Sequence, residues 1–188
     1  AIMGNDRKFI DDIKHAVREL HPKFLALAGS PIPFMNGTDF PAIAQVIEKE
    51  TGIPAFAIPT NGMHDYTYGA GLALAKLAER FVQPIGATKV TGATRTDISD
   101  VTSTDRFFHT LNLLGVTPLD FGPQQNVDCM KQNLAKHGWQ VISTWAMGDS
   151  LENISHAAEA EVNLVVSSVG LETAKILKDK LGILNVSI

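Results

Sequence analysis

An apolar run that ends abruptly at a glycine governs what this chain can become. Phe24-Leu25-Ala26-Leu27-Ala28 has no polar alternation, so the sequence predicts a strand buried on both faces. Gly29-Ser30-Pro31 closes it, because Gly admits backbone angles barred to other residues and Pro cannot continue a ladder. Pro33, Asn36 and Gly37 prolong the loop, and Thr38-Asp39 offer oxygens to cap a helix starting near Phe40. Strand, polar loop and capped helix is the order in which parallel α/β sheets hold ligands, at the carboxyl end of a strand.

The same order recurs on both sides. Upstream, Asn5-Asp6 caps a helix to about Leu20, with Phe9, Ile10, Ile13, Val17 and Leu20 on one face. Downstream, a helix from about Asp39 to Thr51 carries Pro41 in its first turn and the stripe Ile43, Val46, Ile47, and Gly52 closes it. Ile53 to Ile58 reads as a second buried strand, ended by Pro59 and the turn Thr60-Asn61-Gly62. A polar loop, Met63 to Tyr66, leads to a helix from about Thr67 to Phe81, whose small residues Gly69, Ala70 and Gly71 suit close packing better than a dinucleotide fingerprint.

The Thr-, Ser-, Asp- and Gly-rich stretch that follows keeps no period. A structureless loop of that length is improbable inside a domain, so 84–106 reads as a linker between units 1–83 and 107–188. Past it, His109 to Leu114, Trp139 to Ser143, Val162 to Val166 and Ile183 to Val186 read as strands, parallel if the crossovers are right-handed. The helices between them are marked by Val127, Met130 and Leu134 up to Gly138, by a capping-box spacing from Asp149 to Glu152, and by Leu171 to Leu181 before Gly182. The expected fold class is α/β, with two Rossmann-like parallel-sheet units. The chain ends inside a strand with no covering helix, and a leading Ala reads as a tag remnant, so a fragment of a longer chain is expected.

With 16 basic and 20 acidic residues spread along 188, a nucleic-acid partner is excluded: no basic run or basic-aromatic patch is present. No apolar run approaches a membrane span, and the first residues have no signal-peptide core. One cysteine, Cys129, fits a reducing, cytoplasmic setting and cannot by itself supply an iron–sulfur ligand set.

Chemistry is then sought in the polar loops at strand ends: Ser30, Thr60-Asn61-Gly62 with His64-Asp65, Thr144 to Asp149, and Ser167-Ser168. Residue type alone favours turn roles for Ser30 and Asn61 and an exposed pair for His64-Asp65. It favours a satisfied core residue for His109 and a small half-buried one for Cys129. No Walker loop, nucleophile elbow, HExxH or CxxC is present.

Taken together, Gly29-Ser30-Pro31-Ile32-Pro33, Gly37-Thr38-Asp39, Glu48 to Pro54, and Thr60-Asn61-Gly62-Met63 with Tyr66 and Gly69 resemble the first-domain pattern of nitrogenase component 1-type oxidoreductases. Leu111 to Gly122, Ser143 to Ser150, Ala158 to Ser167 and Leu171 to Ile183 resemble the second. The resemblance implies a subunit paired with a related component 1 subunit and fed electrons by an ATP-dependent iron protein. It also implies an iron–sulfur cluster at the subunit interface and a substrate or cofactor between domains. Ser30 stands where that family offers an interface-cluster cysteine, and Ser167 about where it offers a cysteine to the catalytic cofactor. Serine oxygen is a harder and far less acidic ligand than thiolate. The expectation is therefore an oxidoreductase that does not reduce dinitrogen with the usual cofactor, any cluster being held mainly by residues outside this chain and none by the fragment. The alternative is a cofactor-assembly scaffold or a non-catalytic binding protein of the same fold. Ser30, Asn61, His64, Trp145 and Ser167 are expected to line the cleft.

Overall fold

Helical periodicity and capping shape the first third of the chain as the spacing predicts. In a computed structural model, which describes residues 6–84 and 109–187, α1 spans Asp6–Leu20 and turns Ile10, Ile13 and Val17 inward. The expected cap Asn5 lies outside the described residues. After β1 (Leu25–Ala28) and a short α2 (Pro31–Met35) comes α3 (Phe40–Thr51), whose cap Asp39 accepts the Ala42 N–H at 3.0 Å. At its far end Gly52 takes φ 73° and donates its N–H to the Glu48 carbonyl. β2 (Ala55–Ile58) pairs with β1 in parallel, Leu27 beside Ala57, and α4 (Tyr66–Phe81) follows. Leu27, Ala55, Ile43, Ala44 and Ile47 form the core of this part, with Ile10, Ile13, Leu25 and Phe40 packed against it.

Several expectations need correction here. β1 is not buried on both faces: Leu27 is buried, whereas Ala26 and Ala28 are exposed. The reason is that its sheet has two strands and its core residues, Leu27 and Ala55, pack with α3. The loop after β1 is partly helical, since Pro31 pre-sets the first φ of α2 and the Phe34 N–H closes on the Ser30 carbonyl at 3.2 Å. On α3 the buried stripe is Ile43, Ala44 and Ile47, with Val46 39% exposed.

In the rest of the chain, β3 (His109–Leu114), α5 (Pro118–Phe121), α6 (Gln124–Lys136), β4 (Trp139–Thr144), α7 (Leu151–Ser155), β5 (Val162–Val165), α8 (Leu171–Leu181) and β6 (Leu184–Ser187) succeed one another. The four-stranded sheet has order β4-β3-β5-β6, all pairs parallel. Chain order 2-1-3-4 places a topological switch between β3 and β5, where the connections leave in opposite directions. Leu111, Leu113, Val116, Val127 and Met147 form the core. Ser150, not Asp149, caps α7, its Oγ accepting the Asn153 N–H at 3.1 Å. Asp149 instead accepts the Thr144 N–H and closes the β4 loop. His109 is exposed rather than a core residue, 3.0 Å from Glu161 and against the Trp139 ring, and Cys129 is exposed on α6.

The two compact units are Ala1–Leu72 and Ala73–Ile188, so the division falls within α4. From residue 85 on, the stretch read as a linker lies outside the described residues.

A polar row crosses the second sheet. Asn112, Asn163 and Asn185 are register partners, and a shift in pairing after Leu111 brings Ser143 opposite Asn112. Trp145 Nε1 donates to Ser143 Oγ at 2.8 Å, and Ser143 Oγ donates to Asn112 Oδ1 at 2.7 Å. Asn112 Nδ2 donates to Asn163 Oδ1 and to the Ala157 carbonyl, and Asn163 Nδ2 donates to Asn185 Oδ1, each at 2.9 Å. Ser143, Asn112 and Asn163 are buried, so each bond satisfies a group that water cannot reach. Asn112→Ala orphans partners on three sides at about 1–3 kcal/mol each. Its loss in stability is expected to be several-fold that of Asn185→Ala at the exposed end. Urea unfolding followed by tryptophan fluorescence measures this, because Trp139 and Trp145 both lie in the second unit. Equal losses would mean that the row carries no stability.

Candidate functional site

The carboxyl edge of the first sheet is built by two loops in very close approach. A Cβ on Gly29 would sit 2.1 Å from the Thr60 carbonyl oxygen, and one on Gly62 would sit 2.6 Å from Pro31 Cδ. Only glycine fits at Gly29, and at Gly62 a φ of 74° adds the same demand. Thr60 Oγ1 then donates to the Gly29 carbonyl at 2.9 Å and ties the β1 loop to the β2 loop. Ser30, next in line, is exposed at the N-cap position of α2, where its hydroxyl makes no capping bond.

Asn61 and His64 are brought together on the facing loop. Asn61 Oδ1 accepts the Met63 N–H at 2.9 Å, which fixes the orientation of the amide, and it lies 3.2 Å from His64 Nδ1. Because that oxygen can only accept, the neutral ring carries its proton on Nδ1 and leaves a lone pair on Nε2. The ring is stacked on Tyr68, with centroids 4.1 Å apart and planes at 23°. Asp65 turns the other way, toward the start of α4. The Tyr68 N–H, at 3.0 Å, and the Thr67 hydroxyl, at 2.7 Å, hold its carboxyl below the usual carboxylate range.

The second unit repeats the device at its switch point. Gly115, at φ 92°, follows β3, and a Cβ there would lie 2.6 Å from Ser167 Oγ. Ser167 Oγ donates to the Gly115 carbonyl at 2.6 Å, joining the loops after β3 and β5. Gly170 permits the same contact from the other side, since its Cβ would meet the Leu114 carbonyl at 2.9 Å. Trp145 is 0% exposed, and its main-chain N–H donates to the Leu113 carbonyl at 2.9 Å. Next to it Ala146 holds φ 92°, a left-handed conformation unusual for a residue with a side chain.

The structure therefore groups Asn61 with His64, sets Ser30 on the loop locked against theirs, and holds Ser167 and Trp145 in the other unit. Sequence reasoning placed Thr60 in a polar turn but missed its bond to Gly29, and it missed the bond from Ser167 to Gly115 and the row through Asn112, Ser143 and Asn163. A signal existed for the row: Asn inside HTLNLL and VNLV is a polar side chain in an apolar strand, which demands a buried partner.

The donors at the first edge are a hydroxyl, an amide and an imidazole. Among the described residues no group of three or more His, Cys, Asp or Glu side chains could hold a metal ion, and Cys129 is on α6 in the second unit. A thiolate-held iron–sulfur cluster does not fit this donor set.

Parallel sheets with polar loops at their carboxyl ends define a Rossmann-like α/β protein. The family described as nitrogenase component 1 type oxidoreductase matches residues 1–187, and the chain belongs to that family. Over 64 residues it is 31% identical to the nitrogenase iron-molybdenum cofactor biosynthesis protein NifE of Klebsiella pneumoniae, covering 34% of this chain and 14% of that one. It also superposes on a solved structure described as nitrogenase Cp1 at pH 5, with TM-score 0.71, 21% identity and 99% of this chain covered. The match to nitrogenase Cp1 at pH 6.5 has TM-score 0.70, 21% identity and 97% of this chain covered. The chain spans about a third of those structures, 34% and 32% of their lengths.

If the loops depend on close approach, Gly29→Ala costs about 1–3 kcal/mol through overpacking. Thr60→Val, which exchanges the hydroxyl for a methyl, costs about 1 kcal/mol. Both losses are read by hydrogen exchange at the amides of Gly29, Ser30, Thr60, Asn61 and Gly62. A Gly29→Ala protein with unchanged protection would show that the loops do not touch.

Proposed function

We propose that the chain is part of a nitrogenase-like component 1 subunit. It works in the cytoplasm as an oxidoreductase paired with a related subunit, taking electrons from an ATP-dependent iron protein. The observation that carries this reading is family membership along residues 1–187. The donor set narrows it. Ser30, Asn61 and His64 offer neutral oxygen and nitrogen atoms, so an interface cluster in the assembly draws its thiolates from outside these residues. The substrate is then one other than dinitrogen on the usual cofactor. What the chain's own residues supply is placement. Asn61 fixes the His64 ring, Tyr68 fixes its plane, and His64 Nε2 is left to accept a hydrogen bond or a proton from a bound molecule. In the second unit the Ser167 hydroxyl proton is engaged by Gly115, so Ser167 faces a ligand with lone pairs only.

A second reading is favoured by the likeness to NifE, whose name describes cofactor biosynthesis: a scaffold on which a cofactor is assembled. Anaerobic co-purification with the partner subunit separates the two. The redox reading predicts an iron-containing complex that keeps its iron in Cys129→Ser and reoxidises the reduced iron protein when ATP is added. A colourless, iron-free complex that leaves the iron protein reduced would overturn it.

A further inference from the structure

The polar row across the second sheet runs out at an open edge. β6 is the last strand in the order β4-β3-β5-β6, and all of its residues are exposed, Leu184 at 65% and Val186 at 48%. On the side turned away from β5, its main-chain donors and acceptors have no strand beside them among the described residues. Soluble proteins blunt such an edge with charge, proline or a bulge. β6 uses none of these. Ile183-Leu184-Asn185-Val186-Ser187 has no charged residue and no proline, and its pairing with β5 is unbroken from Leu184 to Ser187. β4, at the opposite edge, carries the shift in pairing after Leu111.

Two features define what fits this edge. On one face Leu184 and Val186 extend the apolar rows of Val162 and Leu164, which pack on the core. On the other face Asn112, Asn163 and Asn185 stand in register, and the chain of amides stops half used. Asn185 Oδ1 accepts from Asn163 Nδ2, but Asn185 Nδ2 has no acceptor among the described residues. The next strand must therefore bring an amide between two apolar residues. Leu111-Asn112-Leu113, Val162-Asn163-Leu164 and Leu184-Asn185-Val186 all have this pattern. The first two are on β3 and β5, inside the sheet, so the exposed strand that carries it is β6 itself.

We propose that a second copy of this chain pairs with the first, β6 against β6. A two-fold axis perpendicular to the sheet at Asn185 sets the two strands antiparallel. Asn185 then lies opposite Asn185 of the second copy. An amide both donates and accepts, and its oxygen has two lone pairs, so each Nδ2 reaches the other Oδ1 without displacing Asn163. The same axis puts Leu184 beside Val186 of the second copy, and Val186 beside its Leu184, on the apolar face. Polar and apolar rows thus run on through the contact as one sheet. A strand this short makes a small interface, so the pairing is weak and concentration-dependent. It needs no related subunit and stands whether or not the redox reading above does.

Sedimentation equilibrium and amide exchange of the intact chain over rising concentration test the proposal. The expected result is a monomer–dimer equilibrium in which the outward amides of Leu184–Ser187 gain protection as the dimer forms. Asn185→Ala should weaken association about tenfold, the effect of losing two neutral hydrogen bonds. Val186→Lys, which puts a charge on the apolar face of the edge, should abolish it. Should either variant fail to fold, Leu184→Lys, also at an exposed position, and the exchange of the parent chain decide. A chain that stays monomeric up to about 1 mM would overturn the proposal. So would a dimer that forms equally well in Val186→Lys, or one that leaves exchange in β6 unchanged.

Discussion

One small interaction closes the carboxyl edge of each unit: a hydroxyl on one strand-end loop donates to a glycine carbonyl on its neighbour. Where parallel strands stop pairing, their last carbonyls lose their ladder partners and must be satisfied some other way. In the first unit Thr60 does this for Gly29, and in the second Ser167 does it for Gly115. In both the acceptor is glycine because a Cβ would lie 2.1 Å or 2.6 Å from an oxygen of the partner loop. Ser30, Asn61 and His64 depend on the first clasp, since their loops diverge from it. The turn into α8 depends on the second, through Gly170 against Leu114.

That arrangement refines what the serines can do. Ser30 keeps an exposed hydroxyl with no capping duty, whereas the Ser167 hydroxyl is engaged with a main-chain carbonyl. Two positions that look equivalent when each is read as a cysteine replaced by serine differ in chemistry. Ser30 can still donate and accept. Ser167 is a structural donor whose remaining lone pairs are neutral oxygen, a poor substitute for thiolate toward iron. The imidazole of His64, ordered by Asn61 and Tyr68, is the better-prepared group at the first edge.

Much of the architecture was legible because period and capping act locally. α1 and α8 fall where apolar spacing puts them, and β3 matches residue for residue. Asp39 and Gly52 bracket α3 as their residue types require. Burial was less legible. An apolar run such as Phe24–Ala28 says nothing about how many layers cover it, and the two-stranded sheet leaves Ala26 and Ala28 open. At the site, loop chemistry pointed to Asn61 and His64, but whether a serine hydroxyl is free or clasped is decided by a residue far away in sequence. Ser167 and Gly115 are 52 positions apart, and Thr60 and Gly29 are 31 apart. Fold class and family follow from patterns repeated along the chain, whereas the clasps follow only from pairing register.

The most direct measurement is proton NMR of the side-chain hydroxyls in the intact chain. If the clasps close both edges, the Thr60 and Ser167 hydroxyl protons exchange slowly enough with water to be seen, with cross-relaxation to the α-protons of Gly29 and Gly115. The exposed Ser30 hydroxyl serves as the fast-exchanging reference. Thr60 and Ser167 hydroxyls exchanging as fast as that of Ser30 would contradict the clasp in both units.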